Sequence, residues 1–168
     1  VAWKYAVERK DGPSSLIFTR QDLECQPRSD DQIAAISRGG CVLQDCDGEP
    51  QAILIATGSE VNLALSAREH LLSIGIKARV VSAPCLEWFV QQPVSYQEKV
   101  LPKNIKARVS IEAGIAQSWY QFIGDSGVAV SLEHFGASAS APVLFKEFGF
   151  TVENIVKAAK ESISKAHG

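Results

Sequence analysis

The chain switches between two hydrophobic periods. Ala52-Ile53-Leu54-Ile55-Ala56-Thr57 offers almost nothing to solvent on either side, the pattern of a strand buried on both faces of a parallel sheet. Shorter runs at Ala78-Arg79-Val80-Val81-Ser82, Arg108-Val109-Ser110-Ile111 and Val128-Ala129-Val130-Ser131-Leu132 read as further strands, and Cys41-Val42-Leu43 opens another. Between the strands the period lengthens to that of a helix. From Glu60 to Ile74, at about 100° per residue, Asn62, Ser66, Glu69, His70 and Ser73 share a polar arc, leaving a wide apolar remainder. Gly58-Ser59 precedes this helix, with Ser59 placed as its N-cap, and Gly75 ends it. Leu86 to about Val100 predicts two short helices broken at Pro93, and Gln117 to Ile123 reads as helical. The last helix begins at Thr151, an N-cap, and carries Val152, Ile155, Val156, Ala159, Ile163 and Ala166 in one stripe. Strands alternating with helices predict an α/β fold: a mostly parallel sheet of about five strands with helices on both faces.

The amino-terminal part reads differently. Val1 to Lys10 has the look of the end of a helix, stopped by Asp11-Gly12-Pro13, and Ser15-Leu16-Ile17-Phe18-Thr19 that of a short strand followed at once by Arg20. From Gln21 to about Arg38 the composition turns polar, with Pro27 and Ser29-Asp30-Asp31. A structureless stretch of that length is uncommon within a compact domain and normal between domains, so a boundary is expected there.

Composition narrows the class. Of 168 residues, 46% are hydrophobic and 21% charged, which suits a chain that buries a core and excludes a disordered one. Seventeen basic against nineteen acidic residues leave −2, so neither nucleic acid nor an anionic membrane is an expected partner. No apolar run approaches the roughly 18 residues of a spanning helix. Cys25, Cys41, Cys46 and Cys85 form no CxxC pair and predict reduced thiols of a cytoplasmic protein. With no methionine and a Val1-Ala2-Trp3 start, the sequence reads as processed or as a piece of something longer.

In open α/β sheets ligands bind outside the carboxyl ends of the strands. Those ends carry Thr57-Gly58-Ser59, Ser82-Ala83, Glu112-Ala113-Gly114 and Glu133-His134. Gly58-Ser59 leads into a helix amino terminus, which attracts anions but also serves as a plain capped turn. Glu112 and Glu133 with His134 are either an acid/base pair or solvated rim residues. Arg20 is either a grip for a carboxylate or phosphate, or an interdomain ion pair. His70 belongs to a polar arc and His167 to the tail. The broad apolar arc of residues 60–74 and the cluster Trp119-Tyr120-Phe122 are either interface or intradomain core.

Several segments occur in a telling order: Ser15-Leu16-Ile17-Phe18-Thr19-Arg20-Gln21, Ile53-Leu54-Ile55-Ala56-Thr57-Gly58-Ser59-Glu60-Val61 and Arg79-Val80-Val81-Ser82-Ala83-Pro84. Tyr96, Val100-Leu101-Pro102, Ile111-Glu112-Ala113-Gly114 with Trp119, Phe135-Gly136-Ala137-Ser138 and Phe148-Gly149-Phe150-Thr151-Val152-Glu153-Asn154 follow. Over essentially its whole length the chain resembles the carboxyl-terminal part of transketolase. The resemblance implies three divisions: 1–24 as the end of a pyrimidine-binding domain, 25–37 as a linker, and 38–168 as the carboxyl-terminal domain. It implies a homodimeric parent enzyme of the pentose phosphate pathway that uses thiamine diphosphate and Mg2+ to move a two-carbon ketol unit between sugar phosphates. The cofactor sites and catalytic histidines would then lie upstream of Val1, so no catalytic, cofactor or metal residue is expected here. Arg20 would contact the substrate phosphate. Ala83, Cys85 and Ser140 depart from the residues frequent in that family, at positions remote from its chemistry. Two alternatives stand beside this reading: a regulatory module binding a small molecule through Ser59 and the strand-end carboxylates, or the last domain of a related thiamine-diphosphate enzyme.

Overall fold

The computed structural model describes all residues, Val1–Gly168. Five strands, β1 (Cys41–Gln44), β2 (Ala52–Ala56), β3 (Ala78–Ser82), β4 (Arg108–Ile111) and β5 (Val128–Val130), form one sheet in the order β1-β3-β2-β4-β5. All neighbours are parallel except β1, which runs antiparallel to β3 with Cys41 opposite Ser82. The helices are α1 (Ala2–Glu8), α2 (Asp30–Ala35), α3 (Glu60–Ser73), α4 (Leu86–Val90), α5 (Val94–Val100), α6 (Tyr120–Ile123), α7 (Ala141–Glu147) and α8 (Val152–His167).

The central strand is why the sheet needs two layers. Every residue of β2 is buried, and alternate side chains enter different cores. Leu54 and Ala56 join Val80, Val109 and Ile111 beneath α3 and α8, in a cluster of 17 buried residues. Ile53 and Ile55 join Val81, Phe89, Trp119 and Phe122 on the other face, in a cluster of 11. Small residues, Ala64 and Ala67 on α3 and Ala158 and Ala159 on α8, line the first layer and let the helices sit close to the sheet. The Ser162 hydroxyl of α8, fully buried, accepts from the Arg108 backbone N–H (2.9 Å) and donates to the Ser126 carbonyl (2.7 Å). The guanidinium of Arg108, at the amino end of β4, donates to the carbonyls of Leu101, Pro102, Ile105 and Phe122, and burial lowers its pKa.

The predicted strands between residues 41 and 132 all form, with helices on both faces, and Thr151 caps α8 by accepting from the Asn154 N–H. Two expectations about the elements fail. Ser15–Thr19 is not a strand: it pairs with no neighbour, and Ile17 is 94% exposed. An apolar β-pattern becomes a strand only against a partner edge, and β1 and β5 are the sheet's only edges. The polar stretch from Gln21 to Arg38 is not structureless. It holds α2 and a following 3-10 turn, started by a capping box in which Ser29 and Gln32 satisfy each other's backbone N–H. Helix α7 was not anticipated; it begins at Ser140-Ala141-Pro142, with proline in the first turn where no backbone donor is missed.

Two glycines separate backbone strain from crowding. Gly39 (φ +82°) and Gly75 (φ +80°) share a left-handed conformation. A Cβ on Gly75 meets nothing within 4 Å, whereas one on Gly39 comes closer than 3.0 Å to the Cys85 carbonyl oxygen and the Phe89 backbone nitrogen. Gly75→Ala is expected to cost about 1–2 kcal/mol from conformation alone. Gly39→Ala should add a further ~1–3 kcal/mol of overpacking. Denaturant unfolding of both variants measures the difference; equal losses would contradict the account.

Candidate functional site

Strand order locates the crevice where this architecture takes ligands. The chain leaves β2 toward β3 and leaves β4 toward β5, so the two loops part above the carboxyl ends of β2 and β4. Thr57-Gly58-Ser59 stands on one side and Glu112-Ala113-Gly114 on the other.

Two of the protein's own carboxylates line that gap. Gly58 (φ +56°) turns the chain from β2 into α3, which places Glu60, the first residue of the helix, over the sheet edge. Glu60 is 5% exposed and its Oε1 accepts from the Ser59 hydroxyl at 3.2 Å. Burial pushes its carboxyl above the usual carboxylate range, and the charge of Glu112 acts in the same direction. On the opposite side, Glu112 Oε2 accepts from Trp119 Nε1 at 2.6 Å. Trp119 is 1% exposed, so this bond also satisfies the one polar atom of a core indole. At the end of β5, Glu133 Oε1 accepts from the Ala116 N–H (2.8 Å) and the Ser131 hydroxyl (2.9 Å). Those two donors hold its carboxyl below the usual range.

Each residue singled out in the sequence now has a place. Ser59 does not cap α3 in the expected way. Its ψ of −25° is already helical, and an N-cap hydroxyl reaches forward only from extended backbone, so it donates to Glu60. Glu112 and Glu133 lie at one sheet edge, but each binds its own donors. His134 points elsewhere: its ring packs edge-on to Phe148 at 4.8 Å, and Nδ1 lies 2.8 Å from the Phe135 carbonyl. His70 is exposed, and His167 Nδ1 lies 2.7 Å from the Ile163 carbonyl. Arg20 is exposed, between Thr19 and Gln21, whose side chains bond each other. The four cysteines are free, and burial pushes the Cys41, Cys46 and Cys85 thiols up. Sequence reasoning missed Glu60. Its one signal was an acidic residue directly after a Gly-Ser turn, where a first-turn carboxylate favours the helix dipole.

The carboxyl groups place acidic side chains where an anion would otherwise sit. The α3 amino terminus, the natural anion site, already faces a carboxyl group, and Glu112 adds like charge. No three His, Cys, Asp or Glu side chains are grouped to hold a metal ion. Two shallow clefts lie away from this edge. One, of ≈ 300 Å³, is at the amino ends of the strands beside Glu49, Asn104, Lys106 and His167. The other, of ≈ 440 Å³, runs along the outer side of α3 beside Glu24, Asn62, Arg68 and Glu69.

Comparison with known proteins adds an independent line. Residues 39–151 match the family described as the transketolase-like TK C-terminal domain. Transketolase 1 of Escherichia coli (strain K12) is 56% identical over 161 residues, covering 96% of this chain and 24% of that protein. Transketolase 2 of Vibrio vulnificus (strain CMCP6) is 55% identical over 164 residues, covering 98% and 25%. Among solved structures, Pichia stipitis transketolase in complex with sedoheptulose 7-phosphate superposes with a TM-score of 0.87 at 35% identity, covering 97% of this chain and 23% of that one. The chain thus spans about a quarter of the length of the curated relatives it matches.

The acidic crevice yields a direct expectation. Millimolar inorganic phosphate or a nucleoside diphosphate should leave the thermal midpoint of the chain unchanged beyond ordinary salt effects. A specific ligand at 100 times its Kd would add about 2.7 kcal/mol. A concentration-dependent rise in a thermal-shift titration would mean that the edge opens to anions.

Proposed function

The chain belongs to the transketolase family, and on that premise we propose that it is the carboxyl-terminal portion of an enzyme transferring a two-carbon ketol unit between sugar phosphates. In that enzyme it contributes packing surface and no reacting group. The family match over residues 39–151 carries this reading, and the switch-point crevice agrees with it: Glu60 and Glu112 line the gap, bonded to Ser59 and Trp119. Thiamine diphosphate and its divalent metal are then held by other portions of the enzyme, with the catalytic histidines. The regulatory-module alternative would have to seat its ligand against these two carboxyl groups.

The amino-terminal segment supports the division into 1–24, 25–37 and 38–168. Helix α1 has no buried residue, and Trp3, Val7, Ile17 and Phe18 are exposed. Trp3 stacks on Phe18 at 6.2 Å, while Tyr5 meets Trp88 of α4 at 5.0 Å. A segment that meets the domain through Tyr5 and the 3-10 turn at Ile36–Arg38, with most of its large apolar side chains exposed, fits the end of a pyrimidine-binding domain whose body lies in the rest of the parent. The same logic applies on a smaller scale near β4 and β5. Trp119 and Phe122 are core, but Tyr120 is 60% exposed and Phe135 98% exposed, which suits contact with another domain or a homodimer mate. No helix is long and apolar enough to cross a membrane, and the reading assigns the parent to the cytoplasm and to pentose phosphate metabolism.

Arg20 is the one residue here assigned to substrate, as the donor to its phosphate group. Its exposure leaves the planar guanidinium fork available for a bidentate contact. In the intact enzyme, Arg20→Ala should lower kcat/KM for phosphorylated substrates about 10- to 150-fold, the equivalent of ~1.5–3 kcal/mol for a hydrogen bond to a charged group. The loss should fall mainly on KM. An equal loss with an unphosphorylated ketose donor and aldehyde acceptor would remove Arg20 from the phosphate.

The 168-residue chain by itself should show no ketol transfer when supplied with thiamine diphosphate, Mg2+ and a ketose/aldose phosphate pair. Turnover above the protein-free blank would overturn the assignment of the chemistry to other portions of the enzyme.

A further inference from the structure

The carboxamide of Gln32 joins two structures at once. Its Oε1 accepts from the Ser29 backbone N–H at 3.0 Å, as half of the capping box that starts α2. Its Nε2 donates to the carbonyls of Leu43 (2.8 Å) and Val42 (3.2 Å) on β1. A backbone donor on one side and two carbonyls on the other permit a single orientation of the amide. The register shows why β1 needs it. Cys41 and Val42 lie opposite Ser82 and Val81, Gln44 lies opposite Val80, and Leu43 is the extra residue of a bulge. Gln32 gives the Leu43 carbonyl a donor from outside the ladder.

The rest of this stretch is anchored in the same manner. Gln26 Nε2 donates to Asn62 Oδ1 on α3 at 2.9 Å. The Arg38 guanidinium lies 4.5 Å over the ring of Tyr96 on α5, whose hydroxyl donates to the Gly40 carbonyl at 2.9 Å. Helix α2 has six residues and buries none of them, so it is too short to persist in water without such anchors.

We propose that residues 26–38 are a docked strap with Gln32 as its clasp, closing the bulged β1 edge and moving with the carboxyl-terminal domain. A bulged edge strand covered by a helix offers no free ladder to a further strand. The chain then bends upstream of Gln26, where residues 13–25 form no helix or strand. This rests on the division into 1–24, 25–37 and 38–168 only for what lies on either side of the bend; the clasp is a contact within this chain.

Trypsin reads the clasp, because Arg28 and Arg38 flank α2 and Arg28 is half-buried beside the Cys41 thiol. Gln32→Glu keeps the acceptor of the capping box but replaces the donor with an oxygen facing two carbonyls. In the full 168-residue chain under native conditions, cleavage after Arg28 and Arg38 should rise about 10-fold or more, as expected when a hydrogen bond gives way to an unsatisfied acceptor. Amide hydrogen exchange from Ile33 to Ile36 should quicken by a similar factor. Cleavage after the exposed Arg20, and after Lys157 of α8, should stay at wild-type rates. Unchanged cleavage and exchange in Gln32→Glu would reduce Gln32 to a helix cap and overturn the proposal. An equal rise at Lys157 would also overturn it, since the strap would then have no opening separate from unfolding of the domain.

Discussion

Burial of β2 on both faces is the constraint from which the rest follows. A strand of five apolar residues has no side to give to water, so helices must cover it above and below. Parallel neighbours linked by crossovers of one hand provide this cover only if the chain first turns to one side of the strand and later to the other. The order β1-β3-β2-β4-β5 is that solution, with α3 and α8 on one layer and α4, α5 and α6 on the other. Crossing from one side of β2 to the other leaves a gap between β2 and β4, so the demands of the core create a crevice whether or not function needs one.

That crevice is lined by acidic side chains. The glycine turn before α3 delivers Glu60 into the gap, and the indole of a core tryptophan fixes Glu112 opposite. The two loops are thereby stitched to the domain's own interior. On the flanks, the amino-terminal segment leaves Trp3, Val7, Ile17, Phe18 and Arg20 exposed. Exposed apolar flanks of this kind suit contact with further protein surface.

The legibility of the sequence varied with the range of the forces involved. The strands from 41 to 132, the paired short helices around Pro93 and the Thr151 cap were readable because period, proline and capping act within a few residues. Ser15–Thr19 misled because its apolar pattern is real while a strand also needs a partner edge. Helix α2 was hidden because polar composition outweighed a Ser29/Gln32 capping box that is visible in hindsight. Ser59 shows the limit most clearly: the residue type suited a cap, yet the helical ψ at that position turned its hydroxyl toward Glu60. Glu112 and Glu133 were named from their strand ends, but the donors that consume them, Trp119 Nε1 and the Ala116 N–H, come from across the fold.

By itself, then, the sequence determined the class of fold, the strands, most of the helices and, through the order of its motifs, the family. Those are properties of local pattern, set by hydrophobic periodicity and by which residues tolerate turns. Tertiary structure alone decided the strand order, the two separate cores, and the partners of the strand-end carboxyl groups. Each of these depends on which side chains are excluded from water together, and that exclusion is settled by residues far apart in the chain.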